Sequence, residues 1–523
     1  MRSSVSRREF LRRSMLAAAV GAGGPALLAA CGGGSGSSGG GATKTDLKVG
    51  LGLDVTDLNG FDLTINSYPV LASIYDTLLT YDKGGKAVPR LAQSWKISSD
   101  QTSVEVKLRK GLTFHNGETL DAAAVVKNLE KASDPQFAFQ VYSVVAPIAG
   151  FDAPDGSTVR IKLKQPTPAQ VITDILDSIN LMAPKSLDFD ALKHTAVGAG
   201  PFAQTAFTPH NQLVLERFDH FWRKPAPSIK KITFQISSDY DASIASLQAG
   251  TLDMVAFVPP NQAVKVKDRF DIFVGPTGLE VYPLRINPGR PPFDNKAVRQ
   301  ALHYAIDRKA IVERVFYGYS KPTVLLFGEG SAAFDPSALA KYPFDLQRAK
   351  KAFAAAGAAG WSATCNLVNT DTVGQSIIQI LQADLAKIGC KLDVHLMGNA
   401  ESAQRAFSGD YQMEYGIFGN CGKYPTWVTL NSLCRVQNNP VLKGSAAPIL
   451  QRWQSAIARA SGAVTKDEQQ AAFKNLRDVL LDESWVIPIC QDQTLVAMSK
   501  KASGVSINRD DFVVLEDVKV NAT

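Results

Sequence analysis

The sequence predicts an α/β protein with mixed sheets, and three observations point there. Of its 523 residues 45% are hydrophobic and 20% charged, with 40 Gly and 27 Pro, proportions of an ordinary folded chain and not of a disordered, collagenous or multispan membrane one. From Asp46 onward, short β-like runs alternate with amphipathic helical stretches. Thr364–Val368, Gly374–Ile388 and Lys391–Leu396 form a βαβ pattern in which Ile377, Ile378, Leu381, Leu385 and Ile388 recur at helical spacing, so that helix covers a sheet. At roughly 100 to 200 residues per domain, the length is that of about three domains, enough for a core that needs no disulfide staples.

The elements follow in order. Leu47–Leu53 reads as a strand and Tyr68–Leu79 as a helix with Val70, Leu71, Ile74 and Leu78 on one face. Ser98-Ser99-Asp100-Gln101 turns a hairpin within Lys96–Arg109, and Pro154-Asp155-Gly156 turns a second within Phe151–Leu163. Asp121 can cap the helix 121–131, because a carboxylate there accepts from the free first-turn amides. Gln212–Phe218, Ile232–Ile236, the helix 242–247 and Met254–Phe257 read as βαβ with antiparallel additions. Beyond the extended run Val281–Asn287 and Pro291-Pro292 the helices lengthen: 295–306, 308–315, 346–355, 446–460 and 469–481. A last β segment runs from Trp485 to Ala497.

The net charge of +7 is unevenly placed. Arg2, Arg7, Arg8, Arg12 and Arg13 against Glu9 leave +4 in the first thirty residues, so only +3 belongs to the rest. That field is too weak for binding along a phosphate backbone, and no nucleic-acid partner is expected. Ser6-Arg7-Arg8-Glu9-Phe10-Leu11 resembles a twin-arginine export signal, and the apolar run 15–30, broken by Gly21, Gly23, Gly24 and Pro25, is too short to span a membrane. Leu28-Ala29-Ala30-Cys31 resembles a bacterial lipobox. Cys31 is therefore the expected lipidation site, 1–30 the signal, and the Gly/Ser-rich stretch through residue 43 a flexible tether. The expectation is a lipoprotein held on the outer face of the cytoplasmic membrane.

Four ordered segments together resemble the family-5 extracytoplasmic solute-binding proteins, the peptide- and nickel-type binders of ABC importers. They are Pro89–Trp95 with Val106–Gly117; Gly198–Phe202 with Leu215–Arg217 and Phe221-Trp222; Pro292–Asn295 through Val298–Leu302 to Tyr304–Arg308; and Leu385–Gly389, Gly409–Tyr411 and Ile487-Pro488. They span most of residues 46–505. The resemblance implies a two-lobed periplasmic-binding-protein-like fold of type II, in its large three-subdomain class, with mixed sheets and a two-strand hinge. Lobe I would be 44–280, in two subdomains, with 485–523 returning to it; lobe II would be 288–484. The hinges would fall at 281–287 and 485–491. Most of the shared motifs are expected to build scaffold, with Trp95, Phe114 and Trp222 in packing and His115-Asn116-Gly117 in a tight turn.

In peptide-binding members, the loop after the strand that begins Gly409-Asp410-Tyr411 carries an Asp that pairs with the ligand's amine. Here that position is Asn420, in Gly416-Ile417-Phe418-Gly419-Asn420. An amide gives an ammonium no countercharge, so a ligand other than a simple free-amino dipeptide is expected. Phe418, Gly419, Asn420, Tyr424 and Trp427, with Phe61 and Tyr68 from lobe I, are the candidate ligand-binding residues. Lys423 is a candidate for an anionic ligand group. Arg285 is expected in an ion pair more than against a ligand.

With Cys31 lipidated, five cysteines remain, and Cys421 with Cys434 and Cys365 with Cys390 are the candidate disulfide pairs. The six histidines show no HxxxH or HxH spacing, and there is no GxSxG elbow or Walker A loop. No metal, cofactor or catalytic constellation is expected. The functional expectation is the capture component of an ABC importer, a monomer taking a peptide-like or other small polar solute to permease subunits. A ligand-sensing lipoprotein of the same fold is the alternative.

Overall fold

The computed structural model describes residues 43–521 apart from 56, 62–67 and 135–139. The expected signal, Cys31 and most of the tether lie outside the described residues, as does the side chain of Tyr68.

The local signals produce the elements they encode. Asp121 caps the helix Ala122–Ala132 by accepting from the Ala124 amide at 2.9 Å. Strands Ala92–Ile97 and Ser103–Leu108 make the first hairpin, tied by Ser98 Oγ donating to Asp100 at 2.6 Å; Ile148–Asp155 and Thr158–Leu163 make the second. These four form one antiparallel sheet. The βαβ unit appears as Ser362–Val368, Thr372–Lys387 and Lys391–Met397, its two strands parallel.

Two larger mixed sheets organise the rest. The first has seven strands in the order Asp271–Val274, Leu495–Met498, Met254–Ala256, Asp46–Leu51, Lys231–Ile236, Gln212–Arg217, Phe202–Thr208, with Asp46–Leu51 parallel to both neighbours. The second has six: Lys321-Pro322, Val486–Gln491, Val281–Ile286, Met413–Tyr415, Ser362–Val368, Lys391–Met397. Asp271–Val274 pairs with Leu495–Met498 in the first sheet, and Val281–Ile286 pairs with Val486–Gln491 in the second. The chain therefore passes between sheets twice, side by side, at 275–280 and at 492–494. The expected hinge segments 281–287 and 485–491 are thus paired strands of the second sheet. The crossings lie just beyond them, where the ladders stop.

Several boundaries differ from the sequence reading. The helix begun at Tyr68 ends at Ile74. Asp76 then turns the chain: its carboxylate takes Arg90 and the Trp222 indole N–H, the latter at 2.8 Å, so tertiary bonds replace the next helical turn. The helix expected over 295–306 closes at Leu302 and tightens into a 3₁₀ turn, His303–Ala305. Trp485–Ala497 divides into two strands at the second crossing.

The shared motifs do build scaffold. Phe114 is fully buried, and Arg109 lies 4.2 Å over the Trp222 ring. His115 clamps the Gly198–Phe202 segment, its backbone N–H donating to Gly198 O at 2.9 Å and its Nε2 lying 3.0 Å from Gly200 O. That segment runs against the end of the helix Tyr68–Ile74, where a Cβ on Gly198 would stand 2.1 Å from Ile74 O. Buried Arg299 donates to Phe293 O at 2.8 Å and to Glu483 O at 2.7 Å, tying two helices together.

The hydrophobic cores do not divide at the expected lobe boundary. One cluster holds the second sheet with Phe293, Phe353 and Trp361. A larger one runs from the first sheet into Tyr424, Trp427, Trp453 and Phe473, all within the segment expected as lobe II. The loop after Met413–Tyr415 makes that join.

Candidate functional site

This loop, 416–424, is held at its start by a bridge in which Phe418 and Val281 exchange backbone bonds of 2.9 Å, and at its middle by the Cys421 amide donating to Leu279 O at 3.1 Å. It therefore lies along the first crossing. Asn420 takes a left-handed backbone, φ 62°, a conformation that Asn tolerates better than most residues. The amide at this position thus has a conformational reason as well as any ligand role.

Beyond Asn420 the loop docks on the other half of the protein. Lys423 is buried and its ammonium pairs with Asp510, donates to Ser178 Oγ at 3.1 Å and sits 4.4 Å over the Trp427 ring. The Tyr424 amide donates to Asp174 at 3.2 Å. Arg509 bonds Asp174 at 2.9 Å and Gly422 O at 3.1 Å, and stacks 4.2 Å over Tyr81, whose hydroxyl donates to Asp174 at 2.6 Å. The helix Ala169–Ser178 and the segment 508–511 form the receiving wall.

Carboxylates outnumber cations in this belt. Asp174, Asp177 and Asp510 face Lys423 and Arg509; Glu280, Asp492 and Asp511 gather at the two crossings. Among the described residues the side-chain carboxyls of Asp177 and Glu280 have no hydrogen-bond or ion-pair partner, although the two residues are only 6% and 9% exposed. Asp492 accepts from Tyr282 Oη at 2.8 Å, and Asp511 from Thr494 Oγ1 at 2.7 Å. Burial, then repulsion from Asp510, pushes Asp177 up to about 8. Burial holds Asp511 at about 7, and burial with the charges of Asp511 and Asp492 lifts Glu280 well above the carboxylate range. Buried charge is ordinarily paired, and where no cation is at hand burial raises these carboxyls toward their neutral form.

The sequence-selected residues meet this belt unevenly. Gly419 and Asn420 lie on it. Phe418, Tyr424 and Phe61 are core residues, Tyr424 donating its hydroxyl to Ala460 O at 2.8 Å and meeting Phe473 edge to face. Trp427 belongs to a 3₁₀ turn and serves as the platform for Lys423. Lys423, expected toward an anionic ligand, is neutralised within the protein by Asp510. Arg285 pairs with Glu414 at 2.6 Å.

The expected disulfides are not formed: all five described cysteines are buried free thiols. Parallel pairing sets Cys365 opposite Val394 and Ser362 opposite Lys391, which leaves Cys390 about four strand positions away, roughly 13 Å and beyond bridging reach. The Cys421 thiol is directed instead at Phe418 O, 3.2 Å away. Sequence reasoning missed Glu280, Asp492 and the Asp177 and Asp510-Asp511 carboxyls. The available signal was acidic residues bordering otherwise apolar strands at each crossing.

Two mixed sheets joined by a pair of adjacent crossings, with a polar junction beside them, define a type II periplasmic-binding-protein fold. Three solved or curated proteins carry the comparison further. The chain superposes with a TM-score of 0.81 and 21% identity on NikA from Brucella suis in complex with Fe(III)-EDTA, covering 91% of this chain and all of that one. It superposes at 0.77 and 19% on the dipeptide-binding protein of Pseudoalteromonas sp. SM9913 in complex with Met-Leu, again over 91% and 100%. In sequence it is 29% identical over 486 residues to the glutathione-binding protein GsiB of Escherichia coli strain K12, covering 90% of this chain and 94% of that protein.

Residues 86–429 match the family model for bacterial extracellular solute-binding proteins, family 5, middle region, and the chain belongs to that family. It is a substrate-binding protein of the ABC-importer class, extracytoplasmic, of a family whose role is solute binding and not catalysis, and whose members deliver ligands to ABC permeases. Among the described residues no helix is long and apolar enough to cross a membrane.

Proposed function

We propose that the protein captures a small peptide-like solute in the junction between its lobes and hands it to a membrane permease. The observation that carries this reading is the polar belt along loop 416–424: it lies beside both crossings and holds more buried carboxylate than cation. Relatives named for glutathione and for dipeptide binding support the solute class. In this reading lobe I is 44–280 with 485–523, lobe II is 288–484, and bending at 275–280 and 492–494 opens and closes the belt. A ligand favours the closed form only by its differential affinity for it, and a belt of buried carboxyls without a cation partner supplies such a difference. Residues 1–30 serve as an export signal and a lipid on Cys31 holds the monomeric protein at the membrane beside its permease.

Calorimetric titration of the purified protein with glutathione and with Met-Leu tests the capture reading, alongside native mass spectrometry of what co-purifies. Saturable binding at micromolar concentration or below, or a stoichiometric co-purified solute, is expected. A protein that binds neither and carries no solute refutes it.

A further inference from the structure

Asn420 leaves a ligand ammonium without a countercharge on the loop, yet the fold brings carboxyl groups to the same place from other elements, and an arriving cation favours their ionised form. Glu280 ends the first crossing, Asp492 begins the second, and Asp511 comes from the C-terminal segment. The Asp492 amide donates to Glu280 O at 3.0 Å, so the two crossings are stitched together at this point. Glu280 faces the loop: a Cβ on Gly419 would lie 3.8 Å from Glu280 Oε1, within ordinary contact distance.

Neither cation of the belt is free to serve this trio. Lys423 is held by Asp510, and Arg509 by Asp174. The groups around Glu280 are the two carboxylates, the Tyr282 and Tyr415 phenols and the Cys421 thiol, none of them cationic. A second, independent group is also unmet. The Tyr415 hydroxyl is buried and has no hydrogen-bond partner among the described residues, and Asp371 and Cys490 act on it first, then Asp492 and Glu280. The Tyr415 ring stacks nearly parallel on Tyr282, 5.9 Å between centroids, so aromatic faces flank the carboxylates. Carboxylate oxygens, an unused hydroxyl and ring faces form a surrounding that suits a primary ammonium, which brings three donors and a compact positive charge.

We propose that Glu280, Asp492 and Asp511 receive the primary ammonium group of the transported solute, taking the part that Asn420 cannot. This rests on the capture reading above and names the ligand chemistry of that site. It also amends the expectation drawn from position 420 alone, since a free-amino peptide now has a countercharge to meet.

The test titrates the purified protein with glutathione and Met-Leu and with their N-acetylated forms, using wild type, Glu280→Gln and Asp511→Asn, each first checked for a cooperative unfolding transition. Gln and Asn keep the side-chain shape, and Asn tolerates the left-handed backbone of residue 511, φ 63°. The expected result is at least tenfold weaker binding of the acetylated forms to wild type, and at least tenfold weaker binding of the free-amino forms to both variants. Equal binding of free and acetylated forms, or variants that bind free amines as wild type does, overturns the proposal and leaves the capture reading standing. If neither probe pair binds, native mass spectrometry decides. A co-purified solute with an amine that is retained by wild type and lost from Glu280→Gln supports the site; a co-purified solute without an amine overturns it. Absence of any solute overturns the capture reading together with it.

Discussion

Asp177 offers the sharpest stability test, because it is buried beside Asp174 and Asp510 with no partner of its own among the described residues, on the wall of a cavity of about 60 Å³. Its carboxyl is raised from 3.8 to about 8, chiefly by burial and then by Asp510. An acid whose folded value is raised holds its proton more tightly folded than unfolded. Its contribution is fully present below pH 3.8 and is lost as pH rises toward 8. Carried over that interval, such a shift corresponds to about 6 kcal/mol as an upper figure, and sharing of the repulsion with Asp510 brings the expected value to about 3 to 6 kcal/mol. Asp177→Asn removes the titration while keeping the shape of the protonated acid. Urea unfolding of wild type and variant should therefore give stabilities within about 1 kcal/mol of each other at pH 4.5. A gap should open in the variant's favour through pH 6 and 7 and reach several kcal/mol at pH 8.5. Parallel stability curves across that range would show that Asp177 ionises freely in the folded protein and would refute the reasoning.

Three further outcomes follow from the same contacts. Lys423→Met removes the cation that pairs with buried Asp510 and should destabilise the protein by about 3 kcal/mol or more at neutral pH, read from urea midpoints; an unchanged midpoint would mean that Asp510 finds water instead. Gly198→Ala places a methyl 2.1 Å from the Ile74 carbonyl oxygen and should cost about 3 kcal/mol, measured the same way, because the clash is with backbone that cannot turn aside. Cys31→Ser should move the protein from the membrane fraction to the soluble extracytoplasmic fraction, as shown by fractionation and immunoblotting; retention in the membrane would argue against a lipid anchor.

What the sequence determined by itself is the local and the periodic. The Asp121 cap, the turn at Ser98–Gln101, and the βαβ unit around Ile377–Ile388 are encoded within a few residues of one another, by side chains bonding nearby amides or by apolar spacing that leaves one way to bury a face. The ordered motifs were legible for the same reason, and they proved to be scaffold: Arg90 on Asp76, Arg299 on Glu483, His115 on the Gly198–Phe202 segment. Helix ends were less legible where a tertiary bond takes over from the helix, as at Asp76.

Only the tertiary structure decided the site. Asp177, Glu280, Lys423, Asp492 and Asp511 lie on five separate segments, and no pattern along the chain says that they meet. Lys423 reads as a free cation until Asp510 is brought to it, and Tyr424 as a ligand wall until the carbonyl of Ala460 takes its hydroxyl. A countercharge absent from position 420 is present in space because two crossings, paired in two different sheets, carry acidic residues to one point. Burial then makes those charges costly to leave unmet, and burial is a property of the folded chain alone.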